Sequence, residues 1–129
     1  MQATKINKRI LIVDDEPNIA MAIDFLMSDA GYETAVAANG REAIAKMSSF
    51  EPHVVILDVM MPEMDGFEAA RAIRQNEAFA HVQLIFLTAK VTDPDRATGY
   101  GSGGDLYLTK PFDNDELLAM VEEVVEFSE

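Results

Sequence analysis

Apolar residues along the chain gather into five short runs, separated by stretches in which they recur at helical spacing. The runs are RILIVD (residues 9–14), YETAVA (32–37), HVVILD (53–58), VQLIFLT (82–88) and DLYLT (105–109). Three of them are nearly continuous Val, Ile, Leu and Phe, the pattern of parallel strands covered on both faces. Between the runs, Ile19, Ala22, Ile23, Leu26 and Ala30 line one helix face, and Gly31 supplies the stop. Asn39 with Glu42 predicts a capping box before AIAKM. Gly66 leads into FEAARAIRQN, where Phe67, Ala70 and Ile73 share a stripe. Asp113 with Glu116 predicts the cap of a last helix carrying Leu117, Met120, Val121 and Val124. A fourth helix is expected in DPDRATGYGSGG, with Asp93 as cap and Pro94 at its first position. Gly99 and Gly101 each cost it roughly 1 kcal/mol relative to Ala. That helix is expected to be short or frayed.

Five strands alternating with five helices predict an α/β fold, a doubly wound parallel sheet with right-handed crossovers. In such sheets ligands bind at the carboxyl ends of the strands. The first strand runs into Asp14 and Asp15, the third into Asp58 and the fourth into Thr88, while Lys110 and Pro111 follow the fifth. All project to one edge. Carboxylate oxygens are hard ligands suited to Mg²⁺. A lysine is a compact charge for a phosphate oxygen, a threonine hydroxyl can donate to an oxyanion, and an aspartate can attack phosphorus. The set describes metal-assisted phosphoryl transfer onto a carboxylate.

Composition narrows the partners. The 129 residues suit one domain, and the net charge of −13 repels nucleic acid and anionic membrane, so no direct nucleic-acid contact is expected. There is no cysteine for a disulfide or thiolate metal site. The apolar runs are too short to span a membrane, so a cytoplasmic location is the default. Residues 1–8 read as a polar N-terminal leader and 9–129 as the folded domain.

With these residues in place, the chain resembles the receiver domain of bacterial two-component response regulators, the chemotaxis-Y-like superfamily. The resemblance is carried by LIVDDEP, VILDVMMPEMDGFE, IFLTAK and DLYLTKPF, in that order. The separations also fit: 44 residues from Asp14 to Asp58, 30 from there to Thr88, and 22 more to Lys110. It implies a flavodoxin-like (βα)5 sandwich with strand order 2-1-3-4-5. It implies that Asp58 is the phosphoacceptor, charged by a sensor histidine kinase or histidine phosphotransfer protein. Asp14, Asp15, Asp58 and the backbone carbonyl of Met60 would hold Mg²⁺, for which Mn²⁺ may substitute. Lys110 would hold a phosphoryl oxygen, with the peptide before Pro111 cis. Thr88 and Tyr107 would form the switch, and output to a downstream protein or effector domain would use the fourth-helix, fifth-strand and fifth-helix face, with a homodimer as one use of it. The resemblance implies no conventional turnover enzyme, and fits either a stand-alone regulator or the receiver part of a longer protein.

Several other features receive plainer readings. GYGSGG (residues 99–104) satisfies G-x-G-x-x-G on paper but follows no strand, so a dinucleotide site is rejected. In the family, side chains two residues beyond the phosphoacceptor and the threonine, here Met60 and Lys90, border the path of the hydrolytic water; here solvated rim residues are expected. His53 and His81 stand at strand beginnings, opposite the acids, and are expected to be surface loop residues. Met61 is expected to pack. A flavodoxin-like phosphate loop is disfavoured by DDEP, a haloacid-dehalogenase-like phosphatase by the lack of Asp-x-Asp after the first strand, and a docking-only receiver by the completeness of the site.

Overall fold

A computed structural model describes residues 8–61, 63–88 and 106–126. Its strands are β1 (Arg9–Val13), β2 (Glu33–Ala37), β3 (Val54–Asp58), β4 (Gln83–Thr88) and β5 (Leu106–Thr109). They form one parallel sheet in the order β2-β1-β3-β4-β5. The described helices are α1 (Pro17–Asp29), α2 (Gly40–Phe50), α3 (Gly66–Arg74) and the last helix, α4 (Asn114–Glu126), with a 3₁₀ turn at Glu77–Phe79. The helix expected over residues 93–104, with Gly99 and Gly101, lies outside the described residues, as does Lys90. The fold class and sheet order are those expected: an α/β doubly wound, flavodoxin-like sheet.

Strand alternation divides the core into two layers. Ile10, Ile12, Val54, Ile56, Ile85, Leu87 and Leu108 face α1 and α4, meeting Ile23, Met27, Leu117 and Val121. Leu11, Val13, Val55, Leu57, Leu84 and Phe86 face α2 and α3, meeting Ala43, Met47, Phe67, Ala70 and Ile73. The central strands β1, β3 and β4 are buried almost throughout. Each large side chain so buried stabilises by roughly 1.5–3 kcal/mol relative to exposure. This rigid centre is what fixes the strand ends in space.

Local details depart from the sequence pattern in instructive ways. On α1 the buried residues are Ala20, Ile23 and Met27, while Ala22 is exposed. Ile19, Leu26 and Ala30 of the expected stripe pack partly against the same core. Glu16 is the N-cap of α1, one position before its first turn; its carbonyl accepts from Ile19 and Ala20. Asn39 caps α2 as expected, accepting from the Glu42 amide at 2.9 Å, but the Glu42 carboxylate reaches back to Ala38 rather than to Asn39. Glu116 does accept from the Asp113 amide at 3.2 Å. The full reciprocal capping box stands at α3, between Asp65 and Glu68. Gly31 takes φ 104° after α1, a conformation that favours glycine.

Candidate functional site

The site is built by register. Val13 pairs with Leu57, so Asp14, the first residue past β1, stands level with Asp58 at the end of β3. Asp58 pairs with Leu87, which places Thr88 one step further along β4, and Thr88 pairs with Thr109, the residue before Lys110. The amide of Lys110 donates to the Thr88 carbonyl at 2.7 Å, tying the fifth strand's exit to the fourth. The Lys110–Pro111 peptide is cis.

Side chains from three segments converge. Lys110 Nζ lies 2.9 Å from Asp58 Oδ1 and 3.6 Å from Asp14 Oδ2. Carboxylate oxygens of Asp14, Asp15 and Asp58 all approach within 4.8 Å of one another. Asp14 is 2 % exposed and Asp58 3 %, whereas Asp15 is open to solvent. One oxygen of Asp14 accepts the Glu16 amide at 2.9 Å. The other, Oδ2, is buried without a hydrogen-bond partner.

The electrostatics follow from burial and crowding. Burial pushes the Asp58 carboxyl up to about 6; the hydrogen bond from Lys110 opposes the rise, and the charges of Asp14 and Asp15 add to it. For Lys110, burial disfavours the charged form, but the hydrogen bond and charge of Asp58, with Asp14, outweigh it and hold the ammonium above the ordinary lysine value. One cation facing three carboxylates leaves an excess of negative charge. An orphaned buried oxygen and a set of hard oxygen donors fit a divalent cation, and the Asp14/Asp15/Asp58 cluster is able to coordinate one.

Thr88 is buried, and Tyr107 is half-buried on the same sheet face, packed against Phe86 and Phe67. Met60 is 72 % exposed at the rim, whereas Met61 is buried in the core as expected. His53 differs from its expected role as a loose surface residue. It is partly buried, and its Nδ1 accepts the Arg9 amide at 3.0 Å while its own backbone joins β1 and β4. His81 is exposed. Gly66 was legible only as the lead into a helix; only the fold shows that a Cβ there would lie 2.5 Å from the Asp58 carbonyl oxygen.

Residues 10–122 match the model of the response regulator receiver domain family. The chain belongs to that family. It is 41 % identical over 111 residues to the transcriptional regulatory protein TrcR of Mycobacterium tuberculosis, covering 86 % of this chain and 42 % of TrcR. It is 34 % identical over 113 residues to protein PilG of Pseudomonas aeruginosa, covering 88 % of this chain and 84 % of PilG. The first three curated relatives are matched over only 42 %, 50 % and 47 % of their own length, so the chain spans about half of each. Among solved structures, the Vibrio cholerae chemotaxis protein CheY4 superposes with a TM-score of 0.88 at 35 % identity, covering 91 % of this chain and 98 % of that one. The signal receiver domain of a histidine kinase from Syntrophus aciditrophicus superposes with a TM-score of 0.85 at 32 % identity, covering 92 % and 90 %.

Proposed function

We propose that this receiver domain is a phosphoaspartate switch in which Asp58 takes a phosphoryl group from the phosphohistidine of a sensor histidine kinase or histidine phosphotransfer protein. The observation that carries the reading is the convergence of Lys110 on Asp58 and Asp14, whose buried Oδ2 has no hydrogen-bond partner. A carboxylate oxygen of Asp58 attacks phosphorus in line with the phosphohistidine nitrogen. The P–O bond forms as the P–N bond breaks, and the imidazole leaves with the bonding pair. Asp14, Asp15, Asp58 and the Met60 carbonyl would hold Mg²⁺, or Mn²⁺ in its place. When bound, that cation neutralises charge on the transferring group and orients it. Lys110 exchanges its bond to Asp58 for one to a phosphoryl oxygen, holding it as a point charge. The Thr88 hydroxyl donates to another, and Tyr107 follows into the space that Thr88 leaves.

A groove of about 460 Å³ opens beside Lys110, lined by Asn18, Ile19, Ala22, Ile23, Pro111 and Phe112. Its apolar walls give a phosphodonor protein a place to rest while its histidine reaches Asp58. We place the domain in the cytoplasm, where ATP charges such kinases; among the described residues no helix is long and apolar enough to cross a membrane. Output passes to a downstream protein, an effector domain or a second copy through β5, α4 and the segment between β4 and β5. Direct nucleic-acid contact by this domain is disfavoured by its net charge of −13.

The test is acetyl phosphate with Mg²⁺ and intact-mass detection. Wild type should gain about 80 Da, one HPO₃ unit, on an aspartate, and Asp58→Asn should not. Equal labelling of the two proteins would remove Asp58 from its role.

A further inference from the structure

We propose that Phe67 is a positioning residue for the switch: its ring packs against Tyr107 on the sheet face that carries Thr88 and favours the inward position of the tyrosine. The inference rests on the roles given above to Thr88 and Tyr107, and names the side chain that sets their balance.

Three aromatic rings make one continuous contact. Phe67 meets Phe86 edge to face, with centroids 5.0 Å apart and planes at 69°. Phe86 meets Tyr107 at 5.3 Å and 39°, and Phe67 meets Tyr107 directly at 6.5 Å and 57°. These separations lie in the range where aromatic pairs attract beyond simple burial. Phe86 and Tyr107 are register partners across β4 and β5. Thr88 lies two residues from Phe86, hence on the same face.

The three rings differ in freedom. Phe86 is fully buried in the middle of the sheet and has nowhere to go. Tyr107 stands on the edge strand β5 and is only half-buried, so its ring is not locked in the core as Phe86 is. Phe67 is 8 % exposed and is pinned to the phosphoacceptor's own peptide. The amide of the preceding Gly66 donates to the Val59 carbonyl at 3.0 Å. A Cβ on Gly66 would lie 2.5 Å from the Asp58 carbonyl oxygen, so the start of α3 cannot drift from Asp58 without opening that contact. When Tyr107 turns outward, the contact it loses from the α3 side is the one with Phe67. Phe67 therefore favours the inward tyrosine, and by linkage whatever favours the inward tyrosine also tightens binding of a phosphoryl group at Asp58.

Beryllofluoride with Mg²⁺, a stand-in for the phosphoryl group on aspartate, serves as probe on the full chain carrying 3-fluorotyrosine. The ¹⁹F resonance of Tyr107 is assigned with Tyr107→Phe. Phe67→Leu keeps an apolar side chain but removes the ring. It is expected to weaken beryllofluoride binding by roughly 2- to 10-fold and to shift the Tyr107 resonance toward its solvent-exposed position. In a Tyr107→Leu background the same substitution should leave the affinity unchanged. A Phe67→Leu protein with lowered thermal stability but unaltered affinity and resonance would overturn the proposal, reducing Phe67 to core packing. The wild-type protein supplies a second check: ring-to-ring NOEs between Phe67 and Tyr107 are expected in the beryllofluoride-bound state, and their absence there would also overturn it. Failure of the phosphoacceptor assignment is recognised separately, because beryllofluoride would then bind Asp58→Asn as well as wild type.

Discussion

The backbone of Gly66 lies so close to Asp58 that a methyl group added there would sit 2.5 Å from the carbonyl oxygen of Asp58 and 3.0 Å from the Cα of Val59. Both neighbours are backbone atoms and cannot rotate away. Gly66→Ala is therefore expected to push α3 away from the end of β3. Forced overpacking of this kind costs about 1–3 kcal/mol. Urea unfolding should show that loss, and acetyl phosphate labelling of Asp58 should slow. A variant with wild-type stability and labelling would show that the loop yields more easily than its contacts imply.

Asp58 makes the stability of the metal-free protein fall as pH rises. Its ordinary value is 3.8 and the folded state raises it to about 6, mainly by burial and with the charges of Asp14 and Asp15 adding. The native state thus holds the proton more tightly than the unfolded chain. That contribution is fully present below about pH 4 and is lost as pH climbs through about 6. The difference in urea midpoint between wild type and Asp58→Asn, measured without metal, should widen across this window in favour of Asp58→Asn. The accompanying loss is on the order of 1–2 kcal/mol once solvent screening is allowed for. Excess Mg²⁺ should recover it at neutral pH in wild type alone. A difference independent of pH would contradict the burial argument.

Asp14 carries the orphaned oxygen Oδ2, 3.6 Å from Lys110 Nζ. Removing its charge would take away one of the proposed ligands of the cation while leaving Asp58 in place. Asp14→Asn is expected to weaken Mg²⁺ binding about 10- to 100-fold, the effect typical of residues that orient or neutralise a metal. Titration of amide shifts or of calorimetric heat with MgCl₂ measures it; unchanged affinity would mean that Asp14 only balances Lys110.

At the opposite sheet edge, His53 should make the protein acid-sensitive. Its Nδ1 accepts the Arg9 amide, which requires that nitrogen to be unprotonated. Burial, and then the nearby charges of Lys8 and Arg9, lower its pKa below 6.5. Since the folded value is the lower one, the stabilising contribution is present above pH 6.5 and is lost as pH falls through the folded value. His53→Asn, which retains an acceptor, should flatten this dependence. His53→Leu leaves the amide unpaired and should cost about 1 kcal/mol at neutral pH. An NMR titration giving His53 a pKa above 6.5 would refute the account.

Tyr32 buries its hydroxyl without a hydrogen-bond partner, and burial with the charge of Glu122 pushes its pKa up to about 12. Tyr32→Phe removes only that oxygen. It should leave stability unchanged or raise it by up to about 1 kcal/mol, read from thermal or urea unfolding. A clear loss would reveal a partner for the hydroxyl.

The sequence by itself determined the order of strands and helices, because continuous runs such as VVIL and LIFL suit only the interior of a parallel sheet. It also determined which residues gather at one edge, because Asp14, Asp58, Thr88 and Lys110 each stand at the end of such a run. Composition and spacing were enough for that, since strand direction alone sends all of these ends to one side. What tertiary structure decided was separation, orientation and environment. The 2.9 Å contact of Lys110 with Asp58 comes from the register of β3, β4 and β5. The bond from Arg9 to His53 joins residues 44 apart that only the pairing of β1 with β3 brings together. The exposed Ala22 and buried Ala20 of α1 reflect the direction from which the sheet approaches the helix. Likewise, Phe67 reads in sequence as one apolar helix position, and only packing across three elements sets it against Tyr107. Local pattern fixes which element a residue joins; the neighbours that tune its chemistry are distant in the chain and are chosen by the fold.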